Sequence, residues 1–496
     1  MKKVLSVMGN TIKVLVFLGL AAAILLWANF VLKLKSPDGN YVAQMFAKQA
    51  PHTVDVVFVG SSHIYTDVNP AVLWEEYGIA SYALAGSNQP LWNTYYYMKE
   101  AIEKQSPELV VVDLYRAMET RDVIDDARIA MNTLGLAYGE NRTENIRASI
   151  PEGASLLDYV LGYPIYHTRY EALQESDFKR YNGDPNGENY KGFNENCISV
   201  TPFESFSDVT GIEDRLALTK KSEEYLRKIM DLAKATETEL LLIVAPYQGI
   251  MPSDKMIFNE VEALAKEYDV PYIDFNEYYA EIGLDPMRDC AESSHLNYDG
   301  SEKFSEYLGS YLKTRYELPD RRGEDGYESW EKNAEHYERI AYYFKLRNTE
   351  DMEEYLNLLF EAKGYTALIS LDGQYDYGKL GVLDMLEDYG VKMNDGGVAV
   401  VHDGEVLFCG DDTAAEDYHY HMDWGSKTIV IDGTIMQQSD VYTGERVRAV
   451  EKSMSVDGIN AVVAPHGVNV MIYDEYTNRY DSVGFDATRE YQRARY

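Results

Sequence analysis

Val54-Asp-Val-Val-Phe-Val-Gly60-Ser61-Ser62-His63 is the stretch that decides the fold. A short β-branched run closed by glycine reads as a buried strand, because such side chains fit a pleated surface covered on both faces. Working outward, Ala71 to Tyr77 reads as a helix and Ile79 to Leu84 as a second strand, closed by Ala85-Gly86-Ser87. Leu91 to Lys104 reads as a helix, and Glu108-Leu-Val-Val-Val-Asp113 as a third strand. Strand and helix alternate, which predicts the α/β class: a parallel sheet with flanking helices.

The alternation pauses over residues 118–210, a long, polar, tyrosine-rich stretch with weak helical patches. It reads as an insertion over the sheet, a lid or substrate wall. The pattern resumes with a helix from about Ile212 to Ala235, the strand Glu239–Pro246, a helix over about Phe258–Tyr268, the strand Pro271–Asp274 and a helix over about Ser301–Tyr316. Pro319-Asp-Arg-Arg-Gly-Glu-Asp-Gly326 is a charged boundary. The expected organisation is an α/β domain over 36–317, a helical connector over 318–362 and a smaller C-terminal α+β domain over 363–496. Strands are expected there at Thr366–Leu371, Gly397–Leu407 (folded at the Asp403-Gly404 turn), Thr428–Ile431, Val468–Tyr473 and Ser482–Phe485, with a helix over Lys379–Tyr389.

Upstream, Val14 to Leu32 is a run of 19 residues without a charge. It is long enough to span a hydrocarbon core. Lys2, Lys3 and Lys13 precede it and favour an N-terminus on the cytoplasmic side. A cleaved signal peptide is the rival reading, but no small-x-small cleavage site follows the run. Residues 1–35 are therefore read as a retained membrane anchor, with everything after Lys35 outside the cytoplasm.

The 496 residues carry a net charge of −36. That repels a polyanion and excludes nucleic acid as the expected partner. Cys197, Cys290 and Cys409 make no disulfide framework and no zinc motif, so no metal is expected. No GxGxxG or phosphate-binding loop follows any strand, so no cofactor is expected. The 42 tyrosines suit either sugar stacking or core filling.

The chemistry lies in two places. Ser62 follows the first buried strand, where α/β folds put their sites and where backbone N–H groups can converge; the competing reading is a helix-capping serine. Glu292-Ser-Ser-His295 stands near the end of the α/β unit, before a helix. A carboxylate three residues before a histidine can reach its Nδ1–H and fix its tautomer. The other nitrogen then faces a serine as general base.

These two blocks resemble those of the SGNH/GDSL hydrolase superfamily. Gly60-Ser61-Ser62 stands for its usual Gly-Asp-Ser, and Glu292-Ser-Ser-His295 for its Asp-x-x-His. The resemblance implies a flavodoxin-like sheet, Ser62 as nucleophile, His295 as base and Glu292 as acid, with Asp289 the alternative acid. It implies that Gly86, in Ala85-Gly86-Ser87-Asn88-Gln89, gives an oxyanion N–H. The family's third block, Gly-x-Asn-Asp, is absent: that place reads Val112-Asp113-Leu114-Tyr115. Asn88 or Gln89 is the expected replacement. The variant is similar to the cell-surface acyltransferase branch, the alginate O-acetylation proteins and the teichoic-acid D-alanylation protein DltD. In that branch a multispanning membrane partner supplies the acyl group.

His63 is expected to be structural or to contact substrate, since adjacent residues on a turn diverge. His167 belongs to the insertion. His419 and His421 have strand-like spacing but no third ligand to make a metal site. The C-terminal domain faintly resembles the interleukin-like EMT inducer domain through Tyr365–Asp372 and Gly467–Asp474, which implies glycan positioning or a structural cap. The expected function is a membrane-anchored serine O-acyltransferase or esterase acting on a cell-surface polysaccharide or other glycan. The alternatives are a glycan or lipid esterase without transfer, and an inactive glycan-binding scaffold.

Overall fold

A computed structural model of the chain describes residues 2–33, 37–162, 166–178, 191–195, 204–373, 375–411, 416–425, 427–439, 446–477, 479–489 and 491–495. Cys197 and the side chain of His167 lie outside what is described. The chain divides into two compact units, Met1–His336 and Tyr337–Tyr496.

The first unit is built on a five-stranded sheet: β1 (Val56–Gly60), β2 (Ser81–Ala85), β3 (Leu109–Asp113), β4 (Glu239–Val244) and β5 (Tyr272–Asp274). The order is β2-β1-β3-β4-β5 and every pairing is parallel. Val57 and Val59 face one core with Trp92, Tyr97 and Leu226; Val56 and Phe58 face the other with Ile64, Leu73 and Phe304. Burial on both faces is why these strands read as unbroken apolar runs. In this order the winding reverses between β1 and β3. The crevice at their carboxyl ends is where doubly wound sheets place ligands.

Helices α1 (Lys2–Leu32), α2 (Val42–Phe46), α3 (Ser62–Asp67), α4 (Pro70–Tyr77), α5 (Leu91–Gln105), α6 (Asp126–Thr133), α7 (Glu140–Ser149) and α8 (Leu156–Leu161) follow in chain order. Within α1, Thr11–Leu32 is long and apolar enough to cross a membrane. The described part of region 118–210 is more regular than its polar composition predicts. The reason is a buried amide network: Asn93 of α5 donates to Asn145 Oδ1 (2.6 Å) and Ser149 Oγ (2.8 Å), and Asn145 donates to the Asn132 carbonyl (3.0 Å). These buried amides, bonded to one another, link α5, α6 and α7. On the β2 edge, the Ala83 N–H donates to the Lys191 carbonyl (2.8 Å), covering groups that an open edge leaves bare.

Some boundaries differ from expectation. The helix expected from Ile212 begins at Lys220, because the Thr219 hydroxyl accepts the Ser222 N–H (3.1 Å) as an N-cap. The helix expected from Phe258 begins at Pro252, with proline in its first turn. The helix expected from Ser301 begins at Tyr298, capped by Asn297.

The second unit holds two antiparallel sheets. One runs β10 (Glu405–Gly410), β9 (Val398–His402), β8 (Tyr365–Asp372), β15 (Gly467–Asp474), β16 (Arg479–Asp486), β17 (Gln492–Arg495). The expected turn at Asp403-Gly404 joins β9 to β10, with both residues left-handed, as a tight hairpin requires. The other sheet runs β11 (Tyr418–Trp424), β12 (Lys427–Ser439), β13 (Arg446–Val456), β14 (Ile459–Asn460). Only Thr428–Ile431 of it was expected. In β11 exposed polar residues alternate with partly buried apolar or aromatic ones, and the sheet's fully buried contribution to the core is Trp424, Ile429, Ile431 and Met454 among the described residues. The helix expected over Lys379–Tyr389 is confined to Val382–Asp388, since Gly381 before it is left-handed.

Gly60, at the carboxyl end of β1, has room for no side chain: a Cβ there would lie 2.9 Å from the Asp113 Cβ and 3.0 Å from Ile64 Cγ1. Gly60→Ala is expected to destabilise the first unit by about 1–3 kcal/mol, the usual cost of overpacking. Urea denaturation of the full chain checks this; an unchanged midpoint would contradict the tight strand end.

Candidate active site

Ser62 is the first residue of α3, directly after β1. Ser61 occupies the cap position in an extended conformation, and its side chain makes no capping bond. The Ser62 hydroxyl points elsewhere: its Oγ lies 2.7 Å from His295 Nε2. His295 Nδ1 is hydrogen-bonded to Glu292 Oε1. The spacing of the acid and the histidine has a simple local cause. Glu292, ending β6 (Cys290–Glu292), and His295, opening β7 (His295–Leu296), are directly paired across a two-residue turn. Cross-strand partners point to the same face, so the two side chains meet.

The second oxygen of Glu292 accepts the Ser294 N–H (2.9 Å) and hydroxyl (2.8 Å). Partial burial acts to raise the Glu292 pKa, but the bonds from His295 and Ser294 outweigh it and hold the carboxyl below its ordinary value. Glu292 is therefore an anion at neutral pH, suited to stabilising an imidazolium. The hairpin is held in place from both sides. Gly249 N–H donates to the Ser293 carbonyl (2.7 Å), and Leu296 N–H donates to Asp67 Oδ1 (3.1 Å). Asp289, the alternative acid, is spent elsewhere: its buried carboxylate accepts from Lys303 Nζ (2.7 Å) and the Asp285 N–H (2.6 Å).

The oxyanion candidates diverge. Gly60 pairs with Ala85, so the turn bearing Gly86 stands beside the turn bearing Ser62. The Gly86 N–H makes only a long bond, 3.4 Å, to the Gly60 carbonyl. The Gln89 side chain is fully buried and donates to Thr94 Oγ1 (3.3 Å), so it does not serve as the replacement amide. A buried amide must find its partner inside. Asn88 sits half-exposed at the turn in a left-handed conformation. Its side chain makes no hydrogen bond among the described residues. The first N–H groups of α3 add donors, since a helix start leaves them without intrahelical acceptors.

His63 turns away from Ser62 and is fully buried. Its ring packs at a tilt against Tyr115 (centroids 3.7 Å apart) and lies 4.9 Å from His295 and 5.6 Å from Tyr247, centroid to centroid. Burial holds its imidazole well below the ordinary value, and the His295 and Arg116 charges act the same way, against the Ser294 backbone. It is a neutral wall to the site. Where the third family block is missing, Asp113 and Tyr115 stand instead. Asp113 accepts the N–H groups of Ala245 (3.2 Å) and Tyr115 (3.3 Å) beneath the strand ends. Asp67 is buried with its carboxyl pushed well up by desolvation, against bonds from Thr66 and Leu296. Asp67, Asp113, Tyr115 and Tyr247 were not singled out in the sequence. The only signal was the Asp113-Leu-Tyr115 sequence in place of the amide block.

In the second unit, His419 pairs with Asp432 and His421 with Asp423 (3.8 Å) on an exposed strand face. No group of three or more His, Cys, Asp or Glu placed to hold a metal occurs among the described residues.

Burial pushes the Asp113 carboxyl up to about 7, against its backbone bonds. The folded chain keeps this proton, while an unfolded aspartate releases it near pH 4. Stability from this group is fully present below about pH 4 and is lost as the pH rises to about 7. Asp113→Asn removes the titration. The stability of wild type relative to that variant is expected to fall by up to about 4 kcal/mol between those pH values. Urea melts of both proteins across pH 4–8 check it; parallel curves would contradict the burial.

No family model matches the chain, and no curated protein matches it. Among solved structures, it is similar to a GDSL-like lipase from Bacteroides thetaiotaomicron (14% identity, 58% of this chain and 98% of that one, TM-score 0.27). It is similar to a protein assigned to the lipolytic G-D-S-L family from Desulfitobacterium hafniense (12%, 52% and 98%, 0.26). It is also similar to a gut microbial diltiazem-metabolizing enzyme (9%, 82% and 62%, 0.20). At these TM-scores the likeness carries no argument about this chain.

Proposed function

We propose that this chain is a serine-dependent esterase or O-acyltransferase, anchored by α1 and acting on a cell-surface glycan outside the cytoplasm. The observation that carries the chemistry is the hydrogen-bonded chain from Glu292 through His295 to Ser62. Ser62 Oγ attacks an ester carbonyl as His295 Nε2 takes its proton, and Glu292 stabilises the imidazolium through Nδ1–H. The N–H groups at the start of α3 and the Gly86–Asn88 turn hold the oxyanion. His295 returns the proton to the departing alcohol, leaving an acyl ester on Ser62. A second oxygen nucleophile, deprotonated by His295, then takes the acyl group. Water gives an esterase; a sugar hydroxyl gives a transferase.

The transferase reading draws on the resemblance of the serine and histidine blocks to the cell-surface acyltransferase branch, and on the apolar α1. A multispanning membrane partner would then deliver the acyl group. No bound cofactor is needed, since the leaving group is an alcohol.

Ser62→Ala is expected to lower turnover of an activated acetyl ester by about 10⁴-fold or more, and Glu292→Gln by about 10²- to 10⁴-fold with the fold kept. Mass spectrometry of acetate and acetylated sugar, with and without a glycan acceptor, separates hydrolysis from transfer. Wild-type turnover in Ser62→Ala would remove Ser62 as the nucleophile.

A further inference from the structure

The first unit exposes few large apolar side chains beyond α1, and a group of them falls where α1 ends. Val31 and Leu32 are buried (3% and 8% exposed), whereas Val14 to Trp27 of α1 present apolar side chains that are 55–71% exposed. Leu32 packs with Ala130 of α6, Leu134 just after it, Ile146 of α7 and Tyr166, and α8 lies against the same cluster through Leu156, Tyr159 and Val160. Arg169, steered by Asp177, donates to the Leu32 and Lys33 carbonyls (2.8 and 2.9 Å) and so satisfies the carboxyl end of α1. The end of α1 is therefore fixed in the unit, not joined to it by a loose tether.

Around that joint, α8 has a second apolar side: Leu157 and Leu161, one turn apart, are 62% and 55% exposed. Tyr170, beside Arg169, and Phe178, beside Asp177, are 63% and 53% exposed. Water is a poor medium for such a group, and it adjoins a helix with the length and composition to enter lipid. We propose that Leu157, Leu161, Tyr170 and Phe178 form a lipid-facing collar that seats the α/β unit on the bilayer surface. The collar rests on the reading of α1 as a membrane anchor given above.

The seat fixes where the chemistry happens. A Cβ on Gly39 would lie 3.6 Å from the Gly86 Cα, so the chain leaving α1 runs against the turn beside Ser62. Gly39 follows Leu32 by seven residues, a reach of at most about 25 Å. The Ser62 site works close to the membrane surface, on acyl groups or glycans presented there.

The test uses the full chain, with Cys197 and Cys409 changed to Ser, in phosphatidylcholine vesicles. Cys290 is buried, its thiol pushed up to about 12, and stays unlabelled. An environment-sensitive fluorophore is attached at Leu161→Cys, at Leu157→Cys, or at Leu20→Cys within α1. The collar predicts that labels at 157 and 161 are quenched by lipid carrying a nitroxide near the headgroup, and are at least threefold less quenched by iodide than in detergent-free denaturant. Iodide quenching as strong as in denaturant at 157 and 161, with the label at 20 quenched from lipid, would overturn the collar and leave the anchor standing. Iodide access at all three positions would overturn both.

Discussion

The hydrogen bond from the Leu296 N–H to Asp67 Oδ1 joins segments 229 residues apart, and the proposed chemistry depends on it. Asp67 ends the short helix that Ser62 begins, and Leu296 follows His295 on β7. One buried bond therefore ties the serine helix to the histidine hairpin. It is well placed for this, because burial that disfavours a free carboxylate makes each remaining bond to Asp67 matter more. The same crevice collects a second buried acid, Asp113, and a neutral histidine, His63. Burial disfavours the charged form of all three. Glu292, facing His295, differs: the bonds from His295 and Ser294 hold its carboxyl below the ordinary value.

Much of the first unit was legible in the sequence. The runs at Val56–Gly60, Leu109–Asp113 and Glu239–Val244 are apolar on both faces because helices cover both sides of the sheet, and such runs announce themselves. The placement of Ser62 followed from the strand it ends. The meeting of Glu292 and His295 followed from their spacing, although its cause, a two-residue hairpin turn, is a feature of local geometry that spacing alone does not reveal. What was not legible depends on which partner each polar side chain finds in the fold. Gln89 appeared free to donate to an oxyanion, but the fold buries it against Thr94. Asp289 stood as the alternative acid to Glu292, but Lys303 claims it. The polar stretch after residue 118 hid its helices in part because amide side chains, which carry no apolar periodicity, link α5 to α7. In the second unit, β11, β13, β14 and most of β12 were missed because much of their surface is polar.

The geometry of the joint after α1 gives the catalytic reading a physical setting. A helix end capped by a side chain from a distant part of the unit, with its last residues buried, transmits orientation as well as attachment. On the proposed reading, an acyl-transfer site held at a set height above a membrane would suit reactants that are themselves confined to that surface, because confinement removes much of the cost of bringing them together.

The central claim is that Ser62 is a nucleophile activated by His295. The most direct measurement is reaction of the full chain with a fluorophosphonate ester, followed by intact-mass analysis and peptide mapping, in wild type and in His295→Ala. The account predicts a single adduct, on the peptide containing Ser62, formed in wild type and at least a hundredfold slower in His295→Ala. An adduct on another residue, no adduct on the folded protein, or equal labelling in both proteins would contradict it.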